Sequence, residues 1–375
     1  MDFNFTDEQT MLRDSVARYL SDTYDFETRM KTVNGETGWN PAVWKAFAEE
    51  LGILGASFAE AHGGLGGGAI ENMIVMEEIG KALVIEPYLQ TVVIGGGFLK
   101  AAGGALADSV IPQIIDGSVV IAFAYAEPQG RYNLADLRTM AKKDGAGYVL
   151  NGHKAVVYAA PWATHFIVTA RTGGSVRETT GVSVFLIPAN APGITRRDYP
   201  TVDGARASEV YFENVAVGPD ALIGAEGDAL PLIERVVDEA TAAVCAEGAG
   251  VVRKLHEGTL DYSRQRKQFG KAIGEFQVLQ HRMVDMFMEV EQAVSMTLMA
   301  TLRLDEPDRA RHVSAAKNKI ARGARFVGQN AVQIHGGIGI SNELAIGHYF
   351  KRATMIESQF GDADFHLRRY ESLMA

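Results

Sequence analysis

The residues best suited to chemistry lie between positions 262 and 280, in the run YSRQRKQFGKAIGEFQVLQ. Arg264, Arg266 and Lys267 give it a charged half, Phe269-Gly270 a break, and Phe276-Gln277 end its apolar half. Helical spacing sets Tyr262 and Arg266 on one face. A guanidinium at the rim of a helix, followed by a glycine that lets backbone come close, suits a pyrophosphate. The same spacing also describes an amphipathic helix, a glycine-containing turn and a second helix, and both readings stand at this level.

The composition narrows the partners. At 375 residues the chain is long for one core, so two or three domains are expected. Apolar residues at 47% and charged residues at 22% describe an ordinary globular protein. A net charge of −10, from 36 basic and 46 acidic residues, argues against general nucleic-acid binding but leaves room for local basic pockets. Cys245 is the only cysteine. An intramolecular disulfide is therefore excluded, a Cys/His zinc site is not expected, and a reducing cytoplasm fits. The opening MDFNFTDEQT is acidic and polar and does not read as a signal peptide. The apolar runs at 91–98 and 119–126 fall far short of the ~20 residues a membrane span needs, so no membrane partner is expected.

Three regimes of periodicity must position these residues. Residues 1–118 read as a helical domain. Thr6-x-x-Gln9 is a capping box, Asn40-Pro41 starts a second helix, and helices are expected over about 69–83 and 90–102. Residues 119–227 read as a β-domain, a barrel or sandwich, with Asn151-Gly152 as a hairpin turn and 215–219 and 224–227 as a linker. Residues 228–375 read as an antiparallel four-helix bundle, with helices over 230–252, 276–304, 310–334 and 344–359. The expected fold class is thus mainly α with a central β-domain. Ligand sites favour domain interfaces in such layouts.

Four motifs in this order resemble the acyl-CoA dehydrogenase family of flavoenzymes. Tyr262, Arg266, Phe269-Gly270, Ile273 and Phe276-Gln277 are similar to its Y-x-x-x-R-x-x-F-G-x-x-I-x-x-F-Q pattern. Gln333, Gly336, Gly337 and Gly339 are similar to Q-x-x-G-G-x-G. Glu127-Pro128 with Asn151-Gly152-x-Lys154 is the third motif, and Gly63-Gly64-x-Gly66 the fourth. The resemblance implies FAD as cofactor, an acyl-CoA thioester as substrate and an electron-transfer flavoprotein as acceptor. It implies that Arg266 pairs with the flavin pyrophosphate, that Phe269 and Gln277 line the adenosine, and that Gln333, Gly336 and Gly337 approach the nucleotide of a neighbouring subunit. The assembly it implies is a dimer of dimers, homo- or hetero-oligomeric.

The family reaction removes an α-proton with a carboxylate while the β-hydrogen leaves as hydride to the flavin. Here the chain departs from the pattern. Ungapped counting puts Gly361 and Ala240 at the two positions from which the family takes its glutamate. Asp362 is the nearest alternative base, with Glu239 and Glu247 as weaker ones. Ala126 and Tyr158, with Val156, stand where the family commonly sets side chains against the flavin ring. Two readings follow: a dehydrogenase with an unusual base, or one half of a hetero-oligomer whose partner subunit supplies the glutamate. A flavin-dependent monooxygenase of the same architecture and a non-catalytic scaffold subunit are the alternatives.

Overall fold

The computed structural model describes residues 4–374; Met1–Phe3 of the N-terminal run and Ala375 lie outside the described residues. In chain order the N-terminal helices are α1 (Asp7–Thr23), α2 (Phe26–Asn34), α3 (Pro41–Glu49), α4 (Ala69–Ala82), α5 (Gly96–Ala102) and α6 (Gly104–Ile115). Eight strands follow: β1 (Ile121–Ala124), β2 (Met140–Asp144), β3 (Gly147–Tyr158), β4 (His165–Arg171), β5 (Val182–Pro188), β6 (Ile194–Pro200), β7 (Arg206–Val217) and β8 (Leu222–Ile223). Then come α7 (Leu230–Gln265), a short hairpin of β9 (Lys267–Gln268) and β10 (Lys271–Ala272), α8 (Gln277–Leu302), α9 (Arg309–His335), α10 (Ala345–Ser358) and α11 (Ala363–Ser372). Helices thus flank a central β-sheet region. Among the described residues no helix is long and apolar enough to cross a membrane.

The chain divides into two compact units that do not follow chain order. One comprises residues 1–34, 69–84 and 241–375; the other comprises 35–68 and 85–240.

In the first unit, α9 is the hub, with α8, α10 and α11 packed on it. Its small residues Ala316, Ala321, Ala324 and Ala331 are buried, so helix axes approach closely. The capping box at Thr6 forms: its hydroxyl takes the Gln9 N–H, and the Gln9 side chain takes the Thr6 N–H. The first bundle helix runs to Gln265, further than expected. Helix α11 was not expected, because its sequence (ADFHLRRYES) is polar with one buried residue, His366.

In the second unit the eight-stranded sheet runs β6-β7-β3-β2-β4-β5-β8, and β1 lies parallel to β4. Strands β1 and β2 share one edge of β4, at His165–Val168 and Arg171 respectively. Leu150, Phe166, Phe185 and Phe212 fill the core against it. The stretch expected as a helix over 90–102 opens as a π-helix at Leu89–Gly95. The expected turn at Asn151-Gly152 is instead a bulge inside one long strand. Gly152 is there because a Cβ would stand 2.4 Å from Thr139 Oγ1, and Asn151 is held by Asn214. The reversal comes earlier, where Gly145 has φ +58° between β2 and β3.

Candidate active site

In the β-rich unit, the chain leaves β1 at Ala124 and runs through Tyr125-Ala126-Glu127. Two neighbours on β3 hold this stretch. Lys154 Nζ donates to the Tyr125 carbonyl (3.2 Å), to Glu127 Oε1 (2.8 Å) and to Thr169 Oγ1 (3.1 Å), and the Ala155 N–H donates to the Ala126 carbonyl (2.8 Å). Lys154 is 0% exposed. Burial pushes its ammonium down to about 8, and Glu127 partly offsets this. Burial alone would raise the Glu127 carboxyl, but Lys154 and the donors around it hold it at about 2. Two of those donors are the N–H groups of Arg138 and Thr139.

The next residue on β3 is Val156, with φ +52° and 43% exposure. A β-branched residue in the left-handed region is an outlier, and such strain gathers at functional sites. The pairing of β3 with β7 shifts register here, between Lys154 and Val157. Val156 is exposed in this bulge, next in the chain to the Ala155 whose N–H holds the Ala126 carbonyl, while Tyr158 is half-buried. The Ala126 N–H takes no partner among the described residues.

In the helical unit, α7 stops at Gln265, so Arg266 stands at the rim of the helix, as its spacing implied. Its N–H still donates to the Tyr262 carbonyl (2.8 Å), and its carbonyl accepts from Ile273. Phe269 (φ +54°) and Gly270 (φ +83°) are both left-handed, the conformation a two-residue hairpin demands. That turn explains why a phenylalanine stands 92% exposed at its tip. The two motifs of this unit meet. The Tyr262 ring stacks on His335 with centroids 4.2 Å apart, and its hydroxyl reaches the His335 carbonyl. Gly336 follows, with φ +67°, and open space lies where side chains at Gly336 and Gly337 would stand. Arg266, Gln277, Gln333, Gly336 and Gly337 are all exposed. Arg266 carries no ion pair among the described residues.

The turn between α10 and α11 carries the first base position. Phe360 has φ +58° and Gly361 φ +122°. A Cβ at 361 would stand 2.4 Å from the Phe365 ring and 2.6 Å from His366 Nε2. The place of a side chain is therefore filled. His366 is buried, its Nε2–H donates to the Phe360 carbonyl (3.1 Å), and burial, with nearby Lys317, pushes its pKa down to about 3. Lys317, 0% exposed, donates to the carbonyls of Glu357 (3.0 Å) and Gly361 (2.6 Å). The Gly361 N–H donates to the Ser358 carbonyl (3.3 Å).

The substitute carboxylates are occupied. Asp362 is the N-cap of α11, its Oδ1 accepting the Phe365 N–H at 2.7 Å. Glu247 is buried in a two-pronged pair with Arg352, at 2.5 and 2.6 Å. Glu239 accepts from Arg235 one helical turn away. Ala240 is fully buried in α7. The sequence signals for the lysine anchors were weak: Lys154 lies in a motif, but nothing in spacing marks Lys317 or His366.

Matches to known proteins fit this arrangement. The acyl-CoA dehydrogenase N-terminal, middle and C-terminal domains match residues 6–118, 122–215 and 230–371. The chain belongs to the acyl-CoA dehydrogenase family. It is 28% identical to the probable acyl-CoA dehydrogenase YngJ of Bacillus subtilis over 371 residues, 97% of each chain. Among solved structures, the ChsE4-ChsE5 complex from Mycobacterium tuberculosis contains a chain 25% identical, with a TM-score of 0.91, covering 100% of this chain and 99% of that one. The FAD complex of PigA is also 25% identical, with a TM-score of 0.92, covering 100% and 99%. Enzymes of the acyl-CoA dehydrogenase family are oxidoreductases, and this chain shares their three-part order throughout.

Proposed function

We propose that this chain is the base-lacking subunit of a hetero-oligomeric, FAD-dependent acyl-CoA dehydrogenase. The observation that carries the reading is the turn at Gly361: a side chain there has no room, and the nearby carboxylates are committed to a cap and to ion pairs. Segments of the sequence add to it. Met73–Met76 with Glu86-Pro87-Tyr88, Leu232–Glu239, and 347–350 through 360–364 are similar to the small subunit of pimeloyl-CoA dehydrogenase. The ChsE4-ChsE5 neighbour is itself a complex of two chains.

The residues fit a dinucleotide. Arg266 offers a guanidinium with no ion pair among the described residues for a pyrophosphate, and Gly336 and Gly337 leave backbone open. In the helical unit Phe269 and Gln277 are exposed and suit an adenosine, and exposed Gln333 suits the nucleotide of a neighbouring subunit; in the β-rich unit Ala126, Val156 and Tyr158 suit the flavin ring. When bound, FAD supplies the hydride acceptor. The chain's own part is to hold the ring edge with a backbone N–H at Ala126 and to exclude carboxylates from the base position. The proton would then be removed by a glutamate of the partner subunit, a base that the reaction requires in a dry site that raises its pKa. An electron-transfer flavoprotein would reoxidise the assembly, and a cytoplasmic setting suits the single buried thiol.

The test is to purify the chain alone and co-expressed with a glutamate-bearing family partner, measure bound flavin, and mix each with acyl-CoAs without oxygen. Flavin reduction is expected only with the partner. Stoichiometric FAD and rapid reduction by the chain alone would defeat the reading.

A further inference from the structure

We infer that the buried Glu127–Lys154 pair is a positioning device for the flavin-facing backbone at Tyr125-Ala126 and sets the charge felt at that edge; this rests on the FAD reading above.

The geometry is specific. The stretch after β1 belongs to no strand, yet both of its carbonyls are claimed from β3: Tyr125 by the Lys154 ammonium, Ala126 by the Ala155 N–H. The same ammonium reaches Glu127, whose carboxylate is locked by the N–H groups of Arg138 and Thr139 and by the Gln129 amide. One residue later β3 bulges into the strained Val156. Segment and bulge are therefore fixed to each other through Lys154. The pair is screened from water, while Val156 is exposed.

Stability alone does not account for this. Desolvating both charges costs about as much as their attraction returns, and an apolar pair of equal volume often serves as well. A second buried cation in the same unit shows the contrast. Arg171 is 1% exposed and its side chain donates only to loop carbonyls at Ala135, Gly173, Glu178 and Thr180; Glu178, Asp136 and Glu127 act on it through space, with no carboxylate bonded to it directly.

Because the pair is neutral overall, Lys154→Met leaves a net negative charge beside the edge and, at a pH low enough to keep Lys154 protonated without Glu127, Glu127→Gln leaves a net positive one. The experiment uses the flavin-loaded protein, in complex with its partner if loading requires it. Lys154→Met and Glu127→Gln should each weaken FAD binding by roughly tenfold, the loss expected for a bond to a charged group. They should move the flavin reduction potential in opposite directions, down for Lys154→Met and up for Glu127→Gln. The milder Thr169→Val, which removes one acceptor from Lys154, should weaken binding by about threefold and covers the case where a charge variant does not fold. Arg171→Lys is the control: it keeps the cation but not the fan of bonds to the loop carbonyls, with lowered thermal stability and unchanged FAD affinity and potential. Folded variants that bind FAD as the wild type does, or shifts of the same sign, would overturn the inference. A wild-type protein that binds no flavin with or without a partner would remove the underlying reading as well.

Discussion

Two turns of this protein each depend on one buried lysine, and they are built to opposite ends. At Tyr125–Glu127, Lys154 meets a carboxylate and two other oxygens, and the backbone it holds leaves an N–H unclaimed and a strained residue exposed. At Phe360–Asp362, Lys317 meets carbonyls only, the backbone N–H is consumed, and an imidazole fills the place of a side chain. The first turn is arranged to present groups; the second is arranged to withhold them. Loss of a catalytic glutamate by drift would leave a hole at 361. The structure has a close-packed turn with glycine required by both φ and space.

The comparison can be broken at several points. The largest effect belongs to Glu247→Gln. It leaves the Arg352 guanidinium buried without its charge partner, and about 3–5 kcal/mol of stability should be lost in urea unfolding. Survival with little loss would show that the region around the turn is open to water. Gly361→Glu comes next: overpacking against His366 and a forbidden φ should cost about 2–4 kcal/mol, with no gain in dehydrogenation. Trimming the obstruction with His366→Ala in the same chain should restore part of that loss.

The lysines differ in how pH reaches them. Lys317 titrates at about 8 in the fold, below its ordinary 10.5, so the buried charge costs stability at neutral pH. The unfolded chain binds the extra proton between those values, so stability should rise with pH from about 8 to 10.5. Lys154 adds a slope of the same sign, so the measurement is the difference between wild type and Lys317→Met in denaturant midpoints across that range. Glu127 works the other way. Its pKa of about 2 lies below the ordinary 4.5, so its contribution is complete above 4.5 and lost as pH falls toward 2. Glu127→Gln should flatten that acid limb.

Asp362→Ala should have a smaller effect, losing an N-cap worth about 1 kcal/mol in thermal unfolding. Its flavin chemistry in the complex should be unchanged. Val156→Gly is smallest. Relief of the positive φ is set against added chain entropy, within about 1 kcal/mol.

Much of the scaffold was legible because it rests on local rules. The Thr6 cap, the helix start at Asn40-Pro41 and the long apolar stripes of the bundle are written in spacings of three and four. Asn151-Gly152 misled because the dipeptide that favours a hairpin also suits a bulge, and the deciding contact, Thr139, is distant in sequence. The break at Phe269-Gly270 was legible as a turn; the left-handed Phe269 was not, because its residue type disfavours that conformation. At the candidate site, the absence of glutamate at 361 and 240 could be counted. That position 361 is filled could not, because Phe365 and His366 reach it only after α11 folds back, and α11 has too little apolar surface to announce itself.

The central claim is that this chain carries no base for the α-proton. The direct measurement is exchange of the acyl-CoA α-hydrogens in deuterium oxide, followed by NMR, with the FAD-loaded chain alone and with its glutamate-bearing partner. Exchange at the buffer rate is expected for the chain alone, and catalysed exchange with the partner. Catalysed exchange by the chain alone, abolished by Asp362→Ala, would contradict the claim.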